Sequence, residues 1–334
     1  MTSELERAGM VLAGLGMSVN AWNTRVIVAE ALRRDIEVTR LGEQGGVLLT
    51  HGRRTHRWRN SITSLNSRLV KRVLGHKDVA SHLLRAQGLP ALENAIFAPH
   101  EAERAWHWAE TLGSSVIKPH DAKRGAGVHV DLRTRGDFLQ AYRRVAETYG
   151  SVLVEKYQSG REYRFLLVDG GLVGVMERRP ASVLGDGHAS VDALVRAKNI
   201  DRGRIHRKLQ LGDPELRTLT AQGLRASSVP DAGQRVFLRK ELNLHFGGDA
   251  VEARSAVTDQ EVQVMERAAR AIPGARLLGI DALVPRGSGH DEIGIIEMNG
   301  APLVSMHHFP WEGQPVDAAR AIIDAMFPET TSSR

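Results

Sequence analysis

The 334-residue sequence contains no cysteine, and this absence removes several classes of chemistry at once. Disulfides, thiolate metal sites and cysteine nucleophiles are excluded, and the lack of cysteine fits a cytoplasmic location. No apolar run approaches the roughly 20 residues that span a bilayer. Residues 1–7 also lack the basic-then-apolar layout of a signal peptide. These absences predict a cytoplasmic protein with no membrane partner.

Aromatic residues are also scarce, at 5% of the chain, which bears on the meaning of its positive charge. The formal net charge of +6 suggests nucleic acid as a partner. However, the arginines are spread along the chain, and a phosphorylated cofactor or an acidic substrate explains the excess equally well. We therefore predict no nucleic-acid partner. The 42% hydrophobic and 25% charged content is ordinary for a globular chain, whose length accommodates two or three subdomains.

One glycine-containing stretch invites a dinucleotide-binding interpretation that its spacing does not support. Met10–Gly16 has apolar residues followed by Gly14-x-Gly16, but Val19 occupies the position of the third glycine in the dinucleotide fingerprint. The stretch is therefore predicted to be only a short strand followed by a turn.

A second glycine-containing loop has features of a phosphate-binding site. The predicted strand Ser115–Pro119 carries Lys118, and the following loop contains Arg124, Gly125 and Gly127. Glycines let backbone N–H groups approach an anion, and cations neutralise it. The spacing is not that of a P-loop. Taken alone, the loop is better explained as a basic surface turn.

Two apolar segments near the carboxyl end carry isolated polar groups that suggest a metal site. Glu297 and Asn299 follow the apolar residues that start at Ile293, and a period of two points both side chains to one face of a strand. Asp281 lies in the middle of the apolar segment 278–284, where an acid is costly unless it is paired or binds a metal. If the two strands are antiparallel neighbours, the three side chains converge on a site suited to Mg²⁺. The alternative, that each acid lies at a frayed strand end facing water, stays open.

Hydrophobic periodicity predicts helices and strands along the remaining chain. Helices are predicted at residues 23–34, 65–85, 101–111, 135–149, 192–198, 259–272 and 313–327. Strands are predicted at residues 36–38, 152–154 and 236–239, with hairpins at 47–60 and 163–176. Residues 200–219 show no period and are predicted to form a mobile or functional loop.

The order and spacing of several motifs over roughly Leu65 to Phe327 resemble those of a known superfamily. The motifs are Val116–Pro119 with Arg124–Val128, Val154–Tyr157 with Gly160–Arg164, Glu177–Pro180 with Gly185–Gly187, Gln222–Gly223 with Val229–Pro230, Val236–Arg239 with Asn243 and Gly247–Gly248, Gly279–Asp281, and Glu297–Asn299 with Pro302. They resemble the ATP-grasp superfamily, and most of all the ATP-grasp segment shared by cyanophycin synthetases and bifunctional glutathione synthetases. The resemblance implies an α/β (α+β) ATP-grasp fold, in which two α/β subdomains clamp ATP behind a short N-terminal α/β domain. The implied boundaries are 1–74, 75–155 and 156–334.

The resemblance also implies which residues bind ATP. Lys77 and Lys118 match the two lysines that hold the phosphates, and the loop with Arg124, Gly125 and Gly127 would close over them.

The adenosine part of ATP is expected to contact a neighbouring group of residues. Glu155 would accept from the adenine amino group, and Glu162 would bind the ribose hydroxyls. The backbone of Lys156, Tyr157 and Gln158 would contact the base edge.

The remaining implied residues serve the metal and the reaction. Asp281, Glu297 and Asn299 match the ligands of Mg²⁺, with Mn²⁺ as the other metal considered. The cations expected to steady the transferred phosphoryl group are Arg239, Arg178 and Lys208.

The activity implied is that of an ATP-dependent carboxylate–amine ligase, which joins amino acids or small peptides through an acyl phosphate and releases ADP and phosphate. Departures from the family pattern cast doubt on both glutathione and cyanophycin as products. Leu303 replaces a glycine, His245 and Phe246 replace smaller polar residues, and only about 75 residues precede Lys77, so the extra modules of those enzymes are expected to be absent. The alternatives are a glutathione-synthetase-like or cyanophycin-type ligase, or a nucleotide-binding regulatory protein with the same fold. Family members are often dimers or tetramers, so a homo-oligomer is among the expected assemblies.

A histidine pair, His307 and His308, follows the predicted metal strand. The pair is interpreted as packed or substrate-contacting rather than as a second metal site.

Overall fold

A computed structural model describes residues 2–42, 45–120, 127–242, 244–286 and 293–331. Its helices are α1 (Thr2–Gly14), α2 (Trp22–Arg33), α3 (Arg68–Leu74), α4 (Lys77–Ala86), α5 (Ala102–Glu110), α6 (Arg135–Tyr149), α7 (Val191–Asp201), α8 (Asp213–Thr220), α9 (Asp259–Arg270), α10 (Ser305–His308) and α11 (Ala318–Met326). Short 3₁₀ turns lie at Leu244–Phe246, Arg254–Ala256 and Pro328–Thr330.

The strands form separate sheets in which every named pair of strands is antiparallel. They are β1 (Glu37–Arg40), β2 (Val47–His51), β3 (Arg54–Arg59), β4 (Ile62–Thr63), β5 (Asn94–Phe97), β6 (Ser115–Pro119), β7 (His129–Leu132), β8 (Val152–Lys156), β9 (Arg161–Val168), β10 (Gly171–Arg179), β11 (Ser182–Leu184), β12 (Arg235–Phe237), β13 (Asp249–Glu252), β14 (Leu277–Val284) and β15 (Gly294–Asn299). The strand orders are β1-β2-β3-β4, β5-β8-β6-β7, β11-β12 and β13-β10-β9-β14-β15.

Most predicted elements are confirmed, and three predictions are wrong. The first five residues of the stretch at 10–16 belong to α1, because Ala8 and Leu12 are four residues apart and bury one face of a helix, and the last two form a turn. The long helix predicted at 65–85 is two helices, since α3 ends at Leu74 with Gly75 as its cap residue and α4 begins at Lys77. Within the predicted loop 200–219, α8 forms behind a proline in its first turn.

The hydrophobic core links the two ends of the described chain. The buried residues of α1 and α2 pack with those of β2 and β3 and with α11, around a face of the five-stranded sheet. A second cluster fills the other side of that sheet beneath α9, and a third lies between α5, α6 and the sheet of β5 to β8. The N-terminal elements therefore share a core with the C-terminal helix, and the domain boundaries at 74 and 155 stay a prediction.

Within the described part of the chain, no helix combines the length and the apolar character needed to cross a bilayer.

Candidate nucleotide and metal site

The five-stranded sheet places a row of charged side chains across four adjacent strands. Asp281 on β14 lies opposite Arg164 on β9 and opposite Glu297 on β15. Glu162 lies two residues before Arg164 and so points to the same face. Arg178 on β10 reaches this row and contacts both Glu162 and Asp281. The predicted antiparallel pairing of the two carboxyl-terminal strands is thus confirmed, and it brings Asp281 and Glu297 together.

A β-bulge shifts the register just after Asp281, so that Asp281 pairs with Glu297 but Ala282 pairs with Ile295. Bulges bend a strand locally and change the direction of the side chains around them. Here the bulge lies at the point where two acids must face the same site.

The centre of the row is a buried ion pair between Arg164 and Asp281. Arg164 donates to both carboxylate oxygens, with 2.7 Å between Nη2 and Oδ2, and Arg178 donates to Oδ2 at 2.9 Å. Burial opposes ionisation of Asp281, but the two guanidinium groups outweigh it and hold the pKa of Asp281 below its ordinary value. Burial likewise opposes the charge on Arg164, but Asp281 and then Glu297 raise its pKa.

The predicted metal ligands differ in how well they fit a hard cation. Glu297 lies 3.3 Å from the ammonium of Lys77 and is partly exposed, so its carboxylate faces a cation and is also accessible to solvent. Asn299 lies two residues further along the same strand and accepts a hydrogen bond from the Ala301 N–H at 2.8 Å. Their oxygens are the type that Mg²⁺ binds. Asp281 already accepts from two arginines, so it can bind a metal only when the Arg178 guanidinium has moved away.

The predicted adenosine side of the site lies on the sheet of β5 to β8. Lys118 on β6 donates to Glu155 on the neighbouring strand β8 at 2.6 Å, and both side chains are buried. The second oxygen of Glu155 is buried and makes no hydrogen bond in the structure. The side-chain oxygen of Asn94, which pairs with Glu155 across the sheet, is also buried without a donor. Two buried acceptors without donors fit a ligand that carries an amino group, because leaving them unsatisfied is costly.

The segment after β8 limits how a base edge could be contacted. The Lys156 N–H donates to the Glu93 carbonyl at 2.8 Å, and the Tyr157 N–H donates to the Ser114 carbonyl at 3.0 Å. Those two N–H groups are therefore occupied, and the predicted backbone contact must use other atoms of this segment. A Cβ at Gly294 would collide with the Gln158 side chain, so Gly294 is the residue that lets Gln158 lie against β15.

The glycine-rich loop is described only at its end. Arg124 and Gly125 lie outside the described residues, as does Asn243. Gly127 has a φ of +71°, and a Cβ there would lie 2.8 Å from Tyr149 and 3.0 Å from Pro119. Gly127 is thus required by close packing and by a backbone conformation that side chains disfavour.

Two of the three predicted catalytic cations are not part of the charged row in this structure. Arg239 donates to Glu215 at 2.6 Å and lies over the Phe246 ring, and its N–H is within 3.4 Å of the Ala181 carbonyl, three residues from Arg178. Lys208 is exposed. Of this group, only Arg178 contacts the acids of the site.

Two residues of the site, Arg164 and Asn94, have no role predicted from the sequence. Arg164 belongs to the motif Gly160–Arg164, and its one sequence signal is its position two residues from Glu162 in a largely apolar strand. Asn94 had no such signal, because only the pairing of β5 with β8 brings it beside Glu155.

The histidine pair is packed, as expected. His308 Nε2 accepts from the Ala319 N–H at 2.9 Å, and His307 is fully buried. Burial, and then the charge of Arg164, lower the pKa of His307 to about 3.

Comparison with known proteins identifies the fold and the family. No family model matches the chain. The chain is 32% identical over 323 residues to the glutathione biosynthesis bifunctional protein GshAB of Enterococcus faecalis, covering 92% of this chain and 42% of that protein. It is 30% identical over 324 residues to the cyanophycin synthetase of a Nostoc species, covering 93% of this chain and 36% of that protein.

The structural comparison agrees with these sequence relatives. The crystal structure of a bifunctional glutathione synthetase from Pasteurella multocida superposes with a TM-score of 0.74 at 28% identity, over 92% of this chain and 43% of that one. The chain spans less than half the length of each of these relatives. The chain has the ATP-grasp fold and belongs to the ATP-grasp ligases, as a distant relative of the bifunctional glutathione enzymes and cyanophycin synthetases.

Proposed function

We propose that the protein is an ATP-dependent ligase that joins a carboxylate and an amine, each from an amino acid or a small peptide. The observation that carries the proposal is the contact between Lys77 and Glu297, which joins an expected phosphate-binding lysine to an expected metal ligand. Arg164, Asp281 and Arg178 continue the row across the sheet. The Lys77 ammonium, the two carboxylates and the two guanidinium groups are the kinds of groups that bind metal and phosphate in phosphoryl transfer.

The residues of the row would divide the work as follows. Glu297 and Asn299 would hold Mg²⁺, with Asp281 joining them once Arg178 moves. Bound Mg²⁺ would supply charge neutralisation on the phosphates. Lys77 would leave Glu297 for a phosphate oxygen, since a carboxylate oxygen and a phosphate oxygen are both anionic partners for an ammonium group.

Lys118 and Glu155 would hold the nucleotide from the other sheet. The unpaired oxygen of Glu155 would accept from the adenine amino group, while Lys118 turns toward the phosphates. The Nε of Arg178 is buried without an acceptor, which suits an incoming carboxylate or acyl phosphate.

The reaction would proceed in two displacements. A substrate carboxylate oxygen attacks the γ-phosphorus, the bond from that phosphorus to the bridging oxygen breaks, and ADP leaves. The amine then attacks the carbonyl carbon of the acyl phosphate, the bond to the phosphate oxygen breaks, and the amine gives up a proton. Arg178 is placed to offset the charge that develops on oxygen in both steps.

The test uses Lys118→Ala with Lys71→Ala as its control, because Lys71 is an exposed lysine of α3 with no role in the proposed site. If the proposal holds, ADP formation with amino-acid or dipeptide pairs falls by at least about tenfold in Lys118→Ala and stays near the wild-type rate in Lys71→Ala. Equal rates in wild type and Lys118→Ala would contradict the assigned phosphate site. Calorimetry with ATP on the same variants separates lost binding from lost chemistry.

A second candidate function is regulatory nucleotide binding without turnover. The observation that favours it is the saturation of Asp281 by two arginines, which a protein that never loads a metal there could retain. Tight ATP binding without ADP formation from any acid and amine pair would favour this second function.

A further inference from the structure

A cluster of three side chains outside the charged row has the composition of a transition-metal site. His76 precedes α4, Asp78 lies in its first turn, and His120 follows β6. One ligand atom from each residue, an imidazole nitrogen or a carboxylate oxygen, lies within 4.8 Å of the other two. The two rings are stacked with 6.3 Å between their centroids and 28° between their planes. Among the described residues this is the one such cluster of histidines and acids.

The Asp78 carboxylate gives an independent reason to expect a ligand. Its Oδ1 is buried and accepts no hydrogen bond in the structure, although it sits beside two imidazoles. Leaving a buried acceptor without a partner destabilises the folded state, and more so if the acceptor is charged. A bound cation would remove that cost.

The two lysines that lie next to the cluster in sequence do not neutralise the Asp78 carboxylate. Lys77 lies between two cluster residues in sequence, but its ammonium is 3.3 Å from Glu297. Lys118 lies two residues before His120, but its ammonium is 2.6 Å from Glu155. Both lysines therefore pair with acids of the charged sites, and among the described residues no lysine or arginine forms an ion pair with Asp78.

The geometry requires only a small contraction to coordinate an ion. With metal–ligand bonds of about 2.0–2.1 Å, tetrahedral ligand atoms lie about 3.3–3.4 Å apart. Separations of up to 4.8 Å can close to that value by rotation of the three side chains, of which His76 is exposed and so the least restricted by packing. Two imidazoles and one carboxylate then occupy three positions and leave a fourth for water or a substrate oxygen.

We propose that His76, Asp78 and His120 form a binding site for a divalent transition metal of the zinc class, separate from the oxygen-rich Mg²⁺ site at Glu297 and Asn299. Imidazole ligands favour Zn²⁺, Co²⁺ and Ni²⁺ over Mg²⁺. The ion would connect the start of α4 to the end of β6, two elements that also carry Lys77 and Lys118. Metal binding there would therefore fix the spacing of the two lysines expected to hold phosphate.

The experiment titrates the full chain with Co²⁺ and Zn²⁺ in the absence of nucleotide, so its result does not depend on the proposed ligase activity. Calorimetry gives the stoichiometry and Kd, and the visible absorption of Co²⁺ reports the coordination geometry. We expect one site with Kd at least about tenfold weaker in each of His76→Ala, Asp78→Asn and His120→Ala, because each change removes one ligand. His82→Ala is the matched control, since His82 is an exposed histidine of the same helix outside the cluster, and it should bind like wild type.

Several results would overturn the inference. One is the absence of binding, and another is an equal loss of metal affinity in His82→Ala and His76→Ala. The third is an unchanged Kd in Asp78→Asn, because the site would then be only a pair of histidines. If a variant fails to fold, imidazole NMR of the wild-type chain replaces it. Zn²⁺ should then perturb the ring signals of two of the 14 histidines, and perturbation spread over other histidines would also contradict the site.

Discussion

Replacing Asp281 with asparagine would remove the negative charge that faces Arg164 and Arg178 while keeping the size of the side chain. The side chains of Asp281 and Arg164 are 8% and 10% exposed, so the guanidinium left behind could not reach water. Breaking a buried pair by removing one partner costs about 3–5 kcal/mol, because an uncompensated charge remains. We expect Asp281→Asn to lower the free energy of unfolding by that amount.

The matched comparison is Glu297→Gln in the same row. The Glu297 carboxylate is 38% exposed and lies 3.3 Å from Lys77, so its loss should cost less than about 1 kcal/mol. The same change should nonetheless abolish Mg²⁺-dependent ADP formation, because Glu297 is the better placed of the two acids to hold the metal. The two variants thus separate an acid that stabilises the fold from the acid proposed to bind the metal.

Urea unfolding followed by circular dichroism measures both variants, with magnesium-dependent ADP formation assayed in parallel. A double variant, Asp281→Leu with Arg164→Met, should recover part of the lost stability, because it leaves no buried charge unpaired between those two positions. The reasoning would be refuted by a loss below about 1 kcal/mol in Asp281→Asn. It would also be refuted by full activity in Glu297→Gln.

The remaining predictions concern the base-binding segment and the response to acid. Gly294→Ala should raise the KM for ATP by displacing Gln158. Gly136→Ala, where a Cβ meets nothing within 4 Å, should leave the KM unchanged. Equal KM values in Gly294→Ala and wild type would show that Gln158 does not contact ATP. Burial, and then the charge of Arg202, lower the pKa of His206 to about 4, so between pH 6.5 and 5 the unfolded chain binds this proton first and the contribution of His206 to the free energy of unfolding falls by about 2 kcal/mol. His206→Gln should flatten that part of a stability–pH curve measured by urea unfolding, and an unchanged slope would contradict the assignment.

The sequence was most informative where a polar residue interrupted an apolar strand. Asp281 and Glu297 stood out for that reason, and their proximity depended on one condition, antiparallel pairing, which the structure meets. The periodicity also located the hairpin of β9 and β10 that carries Glu162. Elements with strong alternation or helical spacing can be predicted because burial of one face determines them.

The errors occurred where long-range packing or a single residue decides the local structure. The apolar composition of residues 10–16 predicts a strand when it is considered alone, but the packing of α1 against α2 buries one helical face of this stretch. The break between α3 and α4 lies at His76, whose backbone is extended (φ −118°, ψ 100°) although Gly75 before it is still helical, and helical periodicity does not reveal one such residue. The partners of Arg178 and Arg239 could not be predicted, because they lie on elements distant in sequence.

The cluster of His76, Asp78 and His120 illustrates the same limit. The first two residues are close in sequence at the start of α4, but His120 follows strand β6 much further along the chain, and only the fold brings the three together. A histidine that precedes a helix and one that follows a strand have no distinctive spacing.

Product analysis tests the central claim most directly. The protein would be incubated with ATP, Mg²⁺ and a panel of amino acids and dipeptides, and each mixture analysed by mass spectrometry together with phosphate release. We expect ADP, phosphate and, for the correct pair, an amide whose mass is that of acid plus amine minus water. Formation of AMP and pyrophosphate instead would contradict phosphoryl transfer at this site.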